Sequence, residues 1–180
     1  MPKKKVHWKD LTLRESIATI AGEMQEIGVE TVLTGKACAA IYAPRVKTSV
    51  LDLVTSKYPV TKIEKLMSSL GFTAMALHSF RSPMVPFEVV FFAWPPIVGD
   101  EIVGRYATLK TPHGSFKLLS PTDCVRHRLA AWYRWSEEEA LDQALAVASR
   151  HEIDLPIIRR WSEWEWSLDM YQEFVGKLSA

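Results

Sequence analysis

Apolar residues Leu13, Ile17, Ile20, Met24 and Ile27 recur at alternating gaps of four and three, a spacing that lines one face of an α-helix ending near Gly28. "ETVLTG" then reads as a short buried strand, with Gly35 as the turn into the small-residue helix "KACAAIY". After Pro44, "SVLDLVT" alternates as a second strand, with Val50, Asp52 and Val54 on one face and Leu51 and Leu53 on the other. The segment "YPVTKIEKLMSSLGF" predicts a helix with Ile63, Leu66, Met67 and Leu70 inward and Gly71 just past its end. Strand-like "TAMALHSF" and "PFEVVFFAW" follow, then a Pro-rich loop through "WPPIVGDEI". A hairpin over "GRYATLKTPHGSFKLLS" has Pro112 and Gly114 at its tip.

The pattern changes at Ser120. "SPTDCVRHRLAAWYRW" has Ser at the N-cap, Pro at the first helical position and Asp123 at the third. Ser136 and Glu139 predict the same device for "SEEEALDQALAVASRH", Asp154 starts a further helix, and the Trp-rich stretch from Trp161 is expected to run helically into "EFVGKL". The expected fold class is therefore α/β in the α+β sense, a mixed sheet flanked by helices over residues 1–119 with a helical part over 120–180.

With 180 residues, 48% hydrophobic and 24% charged, the chain suits a soluble globular protein with a substantial core and no membrane partner. A formal charge of +1 supplies no global field, so nucleic-acid contact would need a local basic patch. Cys38 and Cys124 both sit among apolar helical positions, which argues against a disulfide framework or a zinc site and for a reducing cytoplasm. "MPKKKVHWKD" lacks the apolar run of a signal peptide and is expected to be a solvated tail.

Few residues stand out as chemistry. Histidines such as His78 and His113 are scattered with no HExxH spacing, so zinc hydrolysis is unsupported. "VRHRLAAWYRW" and "RRWSEWEW" set arginines beside aromatics, a combination that grips phosphates and stacks bases, or that simply packs a small helical subdomain. Glu163 and Glu165 weigh toward packing.

The ordered set of glycine turn, small-residue helix, tyrosine, Thr48-Ser49 step and acidic strand resembles the nucleotidyltransferase superfamily in its minimal bacterial branch. "GDE", "LLSPTDCVRHRLAAWYRW" and "EALDQALAVA" look like the C-terminal region of bacterial members related to the toxin halves of toxin–antitoxin pairs. The resemblance spans roughly Thr31 to Ala148. It implies Asp-x-Asp on the second strand and a third carboxylate on a later one, which hold Mg²⁺ on the phosphates of a nucleoside triphosphate, while the glycine turn binds phosphate.

On this chain Gly35 matches the first glycine and Asp52 the second Asp, while Lys36 replaces the second Gly or Ser and Val50 replaces the first Asp. Glu88 or Val90 falls at the third position, depending on register. The resemblance thus makes Asp52 and Glu88 the candidate catalytic and metal-ligating residues, and Gly35 and Lys36 the candidate nucleotide-binding ones. Lys36 is either a point charge on a phosphate or a solvated or Asp52-paired side chain. The function implied is a degenerate member, a pseudoenzyme that binds a nucleotide or a protein partner of antitoxin type. The alternative is an active Mg²⁺-dependent enzyme moving a nucleotide onto an RNA or protein hydroxyl.

Overall fold

The structure, a computed structural model, describes residues 6–76 and 78–180. It forms two compact units that interleave along the chain. The first takes residues up to Leu33, Ser49–Pro95 and Thr108–Leu118, and the second takes Thr34–Thr48, Pro96–Ala107 and Leu119–Ala180.

Strands β1 (Thr31–Thr34), β2 (Val50–Thr55), β3 (Thr73–Ala74), β4 (Ser79–Arg81), β5 (Glu88–Ala93), β8 (Tyr106–Thr111) and β9 (Gly114–Leu119) lie wholly or largely in the first unit. They make one mixed sheet in the order β3-β4-β5-β2-β1-β9-β8. β2 runs parallel to β5 and β1 parallel to β9, whereas β3-β4 and β4-β5 are antiparallel. Helix α1 (Leu13–Glu26) buries Ile17, Ile20 and Met24, and α3 (Val60–Ser69) buries Ile63, Leu66 and Met67. α1 starts on a full capping box between Thr12 and Glu15, which satisfies backbone N–H groups that would otherwise lack partners.

Two expectations for this unit change. "TAMALHSF" is two short strands, β3 and β4, with His78 at φ 59 in the turn between them. The expected solvated tail does not extend over Trp8 to Asp10 of "MPKKKVHWKD". Its first five residues lie outside the described ones, but Trp8 to Asp10 form a 3-10 turn and Trp8 is 3% exposed. The Trp8 indole N–H donates to the Leu70 carbonyl at 2.9 Å and its ring meets Phe72 edge-on. A single aromatic beyond the helix pattern thus closes the core.

The second unit contains α2 (Gly35–Tyr42), the hairpin β6 (Ile97–Val98) and β7 (Glu101–Ile102), and helices α4 (Pro121–Trp135), α5 (Glu138–Ala148), α6 (Leu155–Trp164) and α7 (Leu168–Ser179). Small residues Ala37, Cys38, Ala39 and Ala40 put α2 in close contact with α4 and α5. Tyr42 donates from its hydroxyl to the Leu119 carbonyl at 2.7 Å. The caps at Ser120 and Asp154 form as their sequences predict.

Three expectations for this unit also change. The Pro-rich loop contains the β6-β7 hairpin. Ser136 does not cap α5 but ends α4 in the left-handed region at φ 52, and Glu137 takes the N-cap without a side-chain bond. The Trp-rich segment breaks at Trp166, φ 56, so α6 and α7 are separate helices. Among the described residues no helix is long and apolar enough to cross a membrane.

Candidate functional site

In the first unit the register of β2 against β5 places the candidate carboxylates. Val50 stands opposite Glu88, and Asp52 stands opposite Val90. By alternation all four share one sheet face. All four are half-buried, while Leu51, Leu53, Val89 and Phe91 on the other face are buried. Asp52 and Glu88 are therefore diagonal across the ladder, with Cα positions roughly 8 Å apart, and Val90 holds the place beside Asp52.

Glu88 is already engaged. Arg81, at the end of β4, donates from Nε and Nη2 to Glu88 Oε2 at 2.8 and 2.7 Å. The Ser79 hydroxyl and the Arg81 guanidinium beside it lower its carboxyl pKa from the ordinary value. The antiparallel β4-β5 pairing, with Ser79 opposite Val90 and Phe80 opposite Val89, brings these two residues beside it. Next to the pair is a cleft of about 370 Å³ whose lining includes Ser49, Val50, Arg81, Ser82, Phe87 and Glu88. Asp52 is not among the described residues that line it.

A hard divalent cation makes strict demands on this donor set. Mg²⁺ takes oxygen ligands in near-octahedral geometry, and a pair of ions needs a bridging carboxylate. Val50 offers no oxygen, and Glu88 would have to exchange a guanidinium for the ion. Among the described residues no group of three or more His, Cys, Asp or Glu is placed to hold a metal. A two-ion clamp does not fit these residues.

In the second unit Gly35 is the first residue of α2, directly after β1, with φ 65. A residue with a Cβ is strained in that region, so glycine suits the turn. Lys36 forms an ion pair with Glu139 of α5. The hydrogen bond from Lys36 lowers the Glu139 pKa first of all, with the ammonium charge adding to it. Glu139 also lines a cleft of about 530 Å³ together with Arg45, Lys47, Asp142 and Gln143. Sequence reasoning missed Arg81 and the Lys36 to Glu139 pair. An Arg seven residues before Glu88 carries no local signal, and Glu139 looked like a capping residue.

The basic-aromatic stretches are mostly committed to internal contacts. Arg126 is buried, bonded to Asp123 at 2.8 Å and ion-paired with Glu101, and it lies over the Trp161 ring. Arg128 donates to Gln143, and Arg134 donates to Asp100 and Glu165. His127 is neutral at ordinary pH, its pKa lowered to about 4 by burial and then by the Arg128 charge.

The chain has a nucleotidyltransferase-like fold. Its structure is similar to the crystal structure of an antigenic nucleotidyltransferase-like protein from Paracoccidioides brasiliensis, with a TM-score of 0.63, 16% identity, and coverage of 92% of this chain and 89% of that one. A crystal structure of ANT(2")-Ia in complex with adenylyl-2"-tobramycin aligns over 78% of this chain and 100% of that one. Its TM-score of 0.41 and identity of 14% are too loose to bear on this chain. No family model matches the sequence, and no curated protein matches it.

Proposed function

We propose that this chain is a degenerate nucleotidyltransferase-fold protein, a nucleotide- or partner-binding module with an incomplete metal site. The observation that carries the reading is the β2-β5 register. It sets Val50 beside Glu88 and Val90 beside Asp52, so each carboxylate has an apolar neighbour where a second ligand would help it. The Arg81 guanidinium on Glu88 supports the same reading, because it supplies the charge balance that a cation would otherwise give. The likeness of the α4 sequence to toxin-related members favours a protein partner of antitoxin type.

A second reading is an active Mg²⁺-dependent enzyme acting on an RNA or protein hydroxyl. Its support is that Asp52 and Glu88 share one half-exposed face. In that case they would be the metal ligands. Titration calorimetry with each nucleoside triphosphate, in Mg²⁺ and in chelator, separates the two. The degenerate reading expects an affinity that changes by less than about threefold on chelation. Binding that needs Mg²⁺ and is lost in Asp52→Asn would establish the active reading instead.

A further inference from the structure

In the helical unit, exposed apolar side chains stand on the segments that a polar clasp joins. Glu165, with a side chain 9% exposed, accepts Arg134 Nη2 at 2.8 Å and the backbone N–H of Asp100 at 3.1 Å. Arg134 also reaches the Asp100 carboxylate at 3.2 Å. These bonds fasten the tip of the β6-β7 hairpin to the C-terminal ends of α4 and α6. Gly99 is needed at that tip, since a Cβ there would strike the Glu165 and Trp161 side chains.

Within two or three residues of the clasp stand Trp135, Trp164, Trp166, Ile97 and Ile102, which are 74, 64, 96, 50 and 69% exposed. Ile97 and Ile102 are directly opposite in the hairpin and share one of its faces. Trp166 is not on a frayed end. Its own N–H donates to the Glu163 carbonyl at 3.1 Å and that of Ser167 to the Ser162 carbonyl at 2.9 Å, so the backbone that carries the ring is held. Exposed apolar residues scattered singly are ordinary, but a group of five that includes three tryptophans marks an interaction surface.

We propose that this surface is the contact face of a homodimer. The exposed surface of three tryptophans and two isoleucines amounts to roughly 800 Å², which matches the roughly 800 Å² per partner of a standard stable interface. Both charge signs occur beside it. Asp100 is 91% exposed at its side chain, Glu163 lies on the exposed side of α6, and Arg160 covers the Trp164 ring at 5.4 Å. A patch with both signs on its rim meets its own complement when turned about a two-fold axis. Nucleic acid fits less well, because Arg126 and Arg134 are already bonded to carboxylates and Glu163 repels phosphate.

The test is sedimentation velocity on the full chain from about 1 to about 100 µM, a range that covers micromolar association. The parent is expected to shift from monomer toward dimer, with tryptophan emission moving to shorter wavelength as the rings are covered. Trp135→Arg and Trp166→Arg alter exposed positions, so the fold should persist by circular dichroism. Each should weaken dimerisation by at least about tenfold. Val60→Arg, at an exposed apolar position in the other unit, should leave it unchanged. A parent that stays monomeric over the whole range overturns the proposal, as do tryptophan variants that assemble like the parent. A monomer that binds single-stranded RNA through Trp166 also overturns it.

Discussion

Val50 stands opposite Glu88 in the β2-β5 ladder and two residues before Asp52 on the same face. Val50→Asp would therefore place three carboxylates in one patch, with Arg81 as the counter-charge on Glu88. Neighbouring strands lie about 4.8 Å apart, so the new carboxylate comes within roughly 5–6 Å of Glu88. At an effective dielectric of about 20 the repulsion is roughly 3 kcal/mol, and partial solvation and salt reduce it to about 1 kcal/mol. In a chain of this size that lowers the thermal midpoint by about 2–4 °C. Mg²⁺ at ten times its dissociation constant then adds about 1.4 kcal/mol if it binds only the folded state. Scanning calorimetry of parent and variant, with chelator and with Mg²⁺, reads both effects. The variant is expected to start lower and gain about 3–6 °C from the ion, while the parent gains less than about 1 °C. If the ion moves both proteins equally, Val50 is not the vacant ligand position and the resemblance has been aligned in the wrong register.

Three other outcomes follow from particular contacts. His127 is held neutral with a pKa near 4, whereas the unfolded chain takes up that proton below about 6.5. Acidification from about pH 7 to about pH 5 should therefore cost about 2 kcal/mol by urea titration, and His127→Gln should flatten the profile. Glu139→Gln would release Lys36 from its ion pair. If Lys36 serves a phosphate, triphosphate affinity should rise about threefold by calorimetry and fall in Lys36→Ala. The stability that the pair contributes should be present above the ordinary carboxylate range and fade as pH falls through it, since the Glu139 pKa is lowered in the fold. Trp8→Phe removes the indole bond to Leu70 and should cost about 1–2 kcal/mol, against about 3–5 kcal/mol for Trp8→Ala, both read from urea midpoints.

What the sequence disclosed depended on whether the signal was local. The period of two in "SVLDLVT" found β2 and its faces, and glycine at 35 located the strand-to-helix turn at its observed φ of 65. The caps at Ser120 and Asp154 were also legible, because a cap is a contact between residues three apart. Register between parallel strands is set by tertiary packing. Whether Glu88 or Val90 lies beside Asp52 was therefore open until the ladder placed Val90 there. Arg81 and Glu139 were missed for the same reason, since their partners lie on other elements. Ser136 misled because its neighbourhood reads as a cap, yet its left-handed backbone ends the preceding helix.

The central claim is that the fold persists here without a working two-ion site, and pyrophosphate release tests it most directly. Each nucleoside triphosphate is incubated with the protein, Mg²⁺ or Mn²⁺, and cellular RNA or protein as acceptor, with Asp52→Asn as the control. The account predicts release no faster than in the Asp52→Asn control, with nucleotide or partner binding retained by the parent. Turnover at ordinary enzyme rates of about 1 per second or more, abolished in Asp52→Asn and in Glu88→Gln, would contradict it and make Asp52 and Glu88 the ligands of an active site.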